Sequence, residues 1–159
     1  MHIKKWLDSR YNDLITIRRH LHQYPETGFN EFETSKYLKN ILSDAGYSIV
    51  SNSDMRTGFY CDYGTGSGPV ICIRSDIDAL AMDDDKTVDY HSHNKGVMHG
   101  CGHDVHMTVA MGISLWIIEN QTEISGKIRF LFQPAEEQLP GGSLDMIKGG
   151  AIDNVDNIV

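Results

Sequence analysis

The sequence predicts a layered α/β domain. The hydrophobic period changes near Gly46 from helical to extended, and from residue 68 onward strand-like and helix-like stretches alternate. The chemistry-bearing residues also fall where those predicted strands end, the place at which open α/β sheets put their sites.

Trp6, Leu7, Tyr11, Leu14, Ile15 and Leu21 recur at steps of three and four, which predicts an amphipathic helix over Lys5 to His22. Pro25 and Gly28 mark a turn. Asn30 followed by Glu33 has the spacing of a capping box with Asn as the cap. Phe32, Leu38, Ile41, Leu42 and Ala45 then predict a second helix that Gly46 closes. Tyr47 to Val50, Gly58 to Tyr63 and Pro69 to Arg74 read as short strands, and Gly64 to Gly68 as a hairpin loop between the last two. Val70-Ile71-Cys72-Ile73 has no polar alternation, so this strand is expected to be buried on both faces, with Cys72 and Cys61 as small core residues.

That strand leads into Arg74-Ser75-Asp76-Ile77-Asp78-Ala79-Leu80, where a polar strand end facing solvent explains the aspartates as readily as a site does. His91 to Gly102 is a glycine- and histidine-rich loop, followed by a mostly buried helix from Asp104 to near Asn120. Lys127 to Phe132 is a further strand, delivering Gln133-Pro134-Ala135-Glu136-Glu137. Ser143 is placed to cap a short helix through Lys148 that Gly149-Gly150 stops, and Asp156 to Val159 begins another strand.

Composition narrows the function classes. A formal net charge of −8, from 22 acids against 14 bases, disfavours nucleic acid and anionic membranes as partners. Asp83-Asp84-Asp85 lacks calcium-loop spacing and reads as a solvated turn. No apolar run approaches the roughly 20 residues of a membrane span, and the first ten residues lack a signal-peptide core. Three irregularly spaced cysteines do not form a disulfide framework, so a cytoplasmic protein is expected.

The stretch from Met98 to His106 concentrates one thiol, three imidazoles and one carboxylate. Cys101 and His103, two apart in an irregular segment, can face one metal ion. With Asp76/Asp78 and Glu136/Glu137 they form three clusters of the kind a hydrolytic metal centre uses: a cation that acidifies water, ligands to hold it, and a free carboxylate to take the proton. Asp76, Asp78 or Asp104 could orient an imidazole ligand. A solvated Glu-Glu loop and a Cys101 nucleophile with His103 or His106 as base stay open beside this reading. The thiol reading leaves the acidic clusters without a role, and the paired cysteines of a structural zinc site are missing.

Arg18-Arg19-His20-Leu21-His22, Pro25-Glu26-Thr27-Gly28-Phe29 and Glu31-Phe32-Glu33-Thr34 resemble the opening of the M20 metallopeptidase family. Arg74 to Leu80, Met98 to Asp104 and Phe132 to Glu137 match further signatures in order. The branch resembled contains N-acyl-amino-acid amidohydrolases, hippurate hydrolases and N-acetyldiaminopimelate deacetylases. The resemblance implies a zinc-exopeptidase-like layered fold, a mixed sheet flanked by helices. It implies Cys101, His103 and Glu137 as metal ligands, Glu136 as general base, and Asp78 and Asp76 as catalytic carboxylates whose separate roles are open. His99 and His106 match positions without an assigned role. Ala81 departs from a frequent proline and Asp83-Asp84 from a frequent glutamate.

The implied reaction is metal-dependent hydrolysis of the amide bond of a small N-acyl amino acid. Manganese or zinc is the implied ion, with cobalt or nickel compatible with a thiolate. Family members are longer and carry an inserted lid and dimerisation domain, so the resemblance implies a homodimer for the full-length protein. Residues 1–159 are therefore expected to be the N-terminal portion of the catalytic domain, lacking the lid and inactive in isolation, with a non-catalytic remnant as the alternative.

Overall fold

The computed structural model describes residues 3–65 and 67–159. Helices α1 (Ile3–Gln23) and α2 (Phe32–Asp44) lead into strands β1 (Ile49–Val50), β2 (Phe59–Tyr63) and β3 (Val70–Asp76). Helix α3 (His103–Glu119), β4 (Lys127–Gln133), α4 (Ser143–Lys148) and β5 (Asn157–Ile158) follow. The strands form one mixed sheet in the order β1-β2-β4-β3-β5, so the predicted α/β class holds. No helix among the described residues is long and apolar enough to cross a membrane.

The helices form where the periodicity places them, but the caps differ. Asn30 does not cap α2; its amide donates to Thr27 Oγ1 and the Gly28 carbonyl within the preceding turn. The Glu26 carboxylate accepts the Glu33 and Thr34 N–H groups instead, at 3.2 and 2.8 Å. The turn folds Glu26 back onto the helix start, where a full negative charge meets the positive end of the dipole. At the other end, Gly46 N–H bonds to Ser43 O and Tyr47 N–H to Leu42 O, the double bond expected of a glycine stop. Ser143 is inside α4 rather than its cap, and the cap position is Gly142.

The expected β2–β3 hairpin does not form. β4 inserts between the two strands, antiparallel to β2 and parallel to β3. The cause is the apolar content of β4: Phe130, Leu131 and Phe132 are all buried and need cover on both faces, which a central position supplies. Phe59 stacks on Phe132 at 4.7 Å, and Arg129 forks onto Asp62 at 2.8 and 3.0 Å, fixing the β2–β4 register.

β3 is central in the ladder yet not buried on both faces as expected, since Ile71 is exposed beside the two-residue β5. Cys61 and Cys72 are core residues, as their setting predicts. Side chains alternate across the sheet into two cores. Phe130 and Phe132 meet α1, α2 and α3 on one face. Leu131 and Cys72 meet Met146 of α4 on the other.

Candidate metal centre

The connection leaving β3 leads to α3 on one face, and the one leaving β4 leads to α4 on the opposite face. Adjacent parallel strands whose connections diverge leave a crevice at their C-terminal ends, and the sequence-predicted residues gather there. β3 ends at Asp76 and continues to Asp78, and β4 is followed by Glu136 and Glu137. The third wall is the first turn of α3. Gly102 occupies its cap position at φ 95°, a left-handed conformation in which any Cβ is strained, so His103 opens the helix facing the strand ends.

Cys101, His103 and Glu137 each offer a ligand atom, all within 4.8 Å of one another. Asp76, His103 and His106 form a second such set, sharing His103 with the first. The His103 Nδ1–H donates to the Asp78 carbonyl at 2.9 Å, with the Asp78 carboxylate 3.3 Å away. That leaves Nε2 available to a ligand, 3.9 Å from Asp76 and 3.9 Å from Glu137. His106, an exposed side chain, stacks over His103 with its Nδ1 3.9 Å from Asp76.

Asp78 is fully buried and also accepts the Glu137 N–H at 2.9 Å, so one carboxylate ties two of the predicted ligands together. Burial opposes its ionisation, but hydrogen bonds from His103 and from the Glu137 and Glu136 N–H groups outweigh that and hold it below the usual range. Asp76 behaves oppositely: burial raises it, against the pull of the Arg74 guanidinium paired with it. The Cys101 thiol is also raised, first by its hydrogen bond to Glu137 and then by burial and the acids around it. A thiol bonded to a carboxylate and not to an imidazole is poorly set up as a nucleophile. Thiol, imidazole and carboxylates converge here, with Arg74 balancing only Asp76, and a divalent cation fits such a donor set.

Of the three aspartates considered as orienting groups, Asp78 makes the contact. Asp104 is buried and turned the other way, accepting from His22 Nδ1 at 2.7 Å and pairing with Arg18 at 3.0 Å. The far nitrogen of His22 is 3.3 Å from Asp84. Asp84 is therefore no solvated turn residue. Its carboxylate accepts the Ser92 and Lys86 N–H groups, and these with the Lys86 ammonium take it down to about 2 against the effect of burial. Sequence reasoning missed this Arg18–His22–Asp104–Asp84 chain; its one local signal was Arg18 and His22 four apart on α1, with His22 buried beside Leu21. His99 lies close by with both ring nitrogens unpartnered, and burial lowers it to about 4.

Fold and site together define a layered α/β protein with a cluster of groups that could hold a cation at the switch point of its sheet. Residues 72–159 match the model of peptidase family M20/M25/M40. Along 96% of its length the chain is 42% identical to an N-acetyl-L-cysteine deacetylase of Bacillus subtilis, covering 36% of that protein. Along 99% it is 38% identical to an N-acyl-L-amino acid amidohydrolase of Geobacillus stearothermophilus, covering 42% of it. A crystal structure of a Bacillus subtilis protein described as a dinuclear metal binding peptidase superposes with a TM-score of 0.89 at 35% identity, over 95% of this chain and 42% of that one. The chain belongs to peptidase family M20/M25/M40. It spans about two-fifths of the length of these relatives.

Proposed function

We propose that residues 1–159 are the N-terminal part of the catalytic domain of a metal-dependent amidohydrolase acting on small N-acyl amino acids. The observation that carries this reading is the convergence of Cys101, His103 and Glu137 within 4.8 Å, with Glu136 next in sequence and without a ligand position of its own. The names of the relatives, a deacetylase of N-acetyl-L-cysteine and an amidohydrolase of N-acyl-L-amino acids, support the substrate class. The full-length protein would be homodimeric, as the resemblance implies. The three unpaired cysteines of residues 1–159 fit a cytoplasmic setting.

Cys101, His103 and Glu137 would hold a divalent cation, which when bound lowers the pKa of water and polarises the amide carbonyl. Manganese or zinc is the proposed ion, the thiolate favouring zinc. Glu136, exposed at the crevice, takes the proton of the attacking water and returns it to the leaving amine. Asp78 keeps the His103 proton on Nδ1 and holds the Glu137 backbone. Asp76, restrained by Arg74, adds negative charge beside His103 and His106.

The binding half of this reading is tested on the chain itself by cobalt titration, with Cys101→Ser expected to abolish the thiolate-to-cobalt absorption. The catalytic half is tested on the full-length protein, by release of free amino acid from N-acetyl amino acids after loading with manganese or zinc. Glu136→Gln should lower turnover by about 10²–10⁴-fold and leave metal affinity unchanged. Turnover that survives a chelator overturns the metal mechanism.

A further inference from the structure

The segment Pro25 to Glu31 supplies neither ligand nor base, yet it packs against both strand ends that do. Thr27 bridges to Ala79, whose N–H donates to the Glu26 carbonyl at 2.8 Å. A Cβ on Gly28 would lie 3.0 Å from the Ala135 Cβ, so this turn touches the exit of β4 at the limit of close packing. From the turn, Glu31 sends its side chain inward, where it is fully buried. Oε1 accepts the Ala135 N–H at 2.8 Å, and Oε2 accepts the Thr57 hydroxyl at 2.6 Å.

A buried carboxylate is an expensive means of support. Burial raises the Glu31 carboxyl against the bonds it accepts, and a packed apolar side chain would serve stability at lower cost. What the carboxylate does do is hold Ala135, a buried non-glycine residue at φ 48°. An alanine keeps a left-handed conformation only where its surroundings over-determine it. Glu136 and Glu137 follow directly, and Asp78 accepts the Glu137 N–H from the other side. The 135–137 backbone is thus gripped between two buried carboxylates, one from the turn before α2 and one from the end of β3.

We propose that Glu31 is a positioning residue for this turn: its carboxylate holds the Ala135 N–H and so sets where Glu136 and Glu137 point, touching neither cation nor substrate. The proposal rests on the roles given above to those two glutamates.

The test is cobalt titration of the chain, followed by its d–d and thiolate-to-cobalt absorption and paired with thermal unfolding. Glu31→Met fills the space but offers no acceptor. It is expected to weaken cobalt binding about ten- to hundred-fold and to alter the d–d bands, while Glu31→Gln, whose amide oxygen can still accept, stays within about threefold of wild type. Thr57→Val should lower the unfolding midpoint and leave cobalt affinity in place, because the bond to Ala135 persists. Wild-type affinity and spectrum in Glu31→Met overturn the proposal, as does an equal loss of affinity in Thr57→Val. Where Glu31→Met does not fold, Glu31→Asp withdraws the acceptor by one methylene and is read in the same way. Glu137→Gln separates the two levels. If it too leaves cobalt binding unchanged, the ligand assignment has failed. If it weakens binding and the Glu31 variants do not, only the positioning role has.

Discussion

Replacing Asp78 by Asn tests the site most sharply, because it changes charge and proton pattern at almost constant size. The carboxylate accepts from Glu137 N–H at 2.9 Å and faces His103 Nδ1 at 3.3 Å. An asparagine can satisfy Glu137 with its amide oxygen, but its NH₂ then points at the His103 Nδ1–H, donor against donor. His103 then keeps only its Nδ1–H bond to the Asp78 main-chain carbonyl, losing the carboxylate's charge that favours a proton on Nδ1 and so loosening its hold on Nε2, the atom that would ligate. The expected loss in cobalt affinity is about ten- to hundred-fold, or roughly 1.4–2.7 kcal/mol, measured by competition with a chromophoric chelator.

The unliganded fold should lose about 1–3 kcal/mol for the ill-matched contact, read from urea unfolding. The acid limb carries a further sign. The native carboxyl lies below its unfolded value, so its contribution is present above about pH 3.9 and is lost as pH falls through the native pKa. Asp78→Asn should flatten that limb. Wild-type cobalt affinity in Asp78→Asn, alongside a clear loss in Cys101→Ser, would refute the orienting role.

Two further outcomes follow from the buried groups. Burial lowers His99 to about 4, so the unfolded chain binds its proton first; stability should fall by roughly 3 kcal/mol as pH drops from about 6.5 past 4. His99→Phe should remove most of that slope in unfolding measured from pH 7 to 4.5, and an unchanged slope counts against the burial argument. Phe132→Ala removes one of the two rings stacked at 4.7 Å in the main core and should cost about 3–5 kcal/mol in urea unfolding; a loss under about 1 kcal/mol would mean that the β2–β4 contact is not the centre of the core.

Much of the fold was legible because its signals are local. The helices over Lys5 to His22 and Phe32 to Ala45 repeat their apolar residues at helical spacing, and α1 and α2 form there. The strands ending at Asp76 and Gln133 were equally plain from their apolar runs. What failed depended on distant partners. Asn30 had the cap spacing, but Glu26 won the helix end once the turn brought a charge to it. Gly64 to Gly68 had hairpin composition, but β4, more than 60 positions further along, took the place beside β2. Asp84 read as solvated because nothing nearby announces that His22 and Ser92 will enclose it.

From the sequence alone, periodicity predicted the class of fold and donor chemistry picked out candidate residues for the centre, because both are properties of short stretches. Cys101, His103, Glu136 and Glu137 stood out as candidates without coordinates. Their arrangement came from long-range packing. Packing made Asp78, and not Asp104, the aspartate that meets His103, through its main-chain carbonyl at 2.9 Å, and it brought Glu31 to Ala135 across 104 positions of sequence. The reason is physical: a hydrogen bond depends on direction and on exclusion of water, and both are set by which elements pack together and not by which residues are neighbours in the chain.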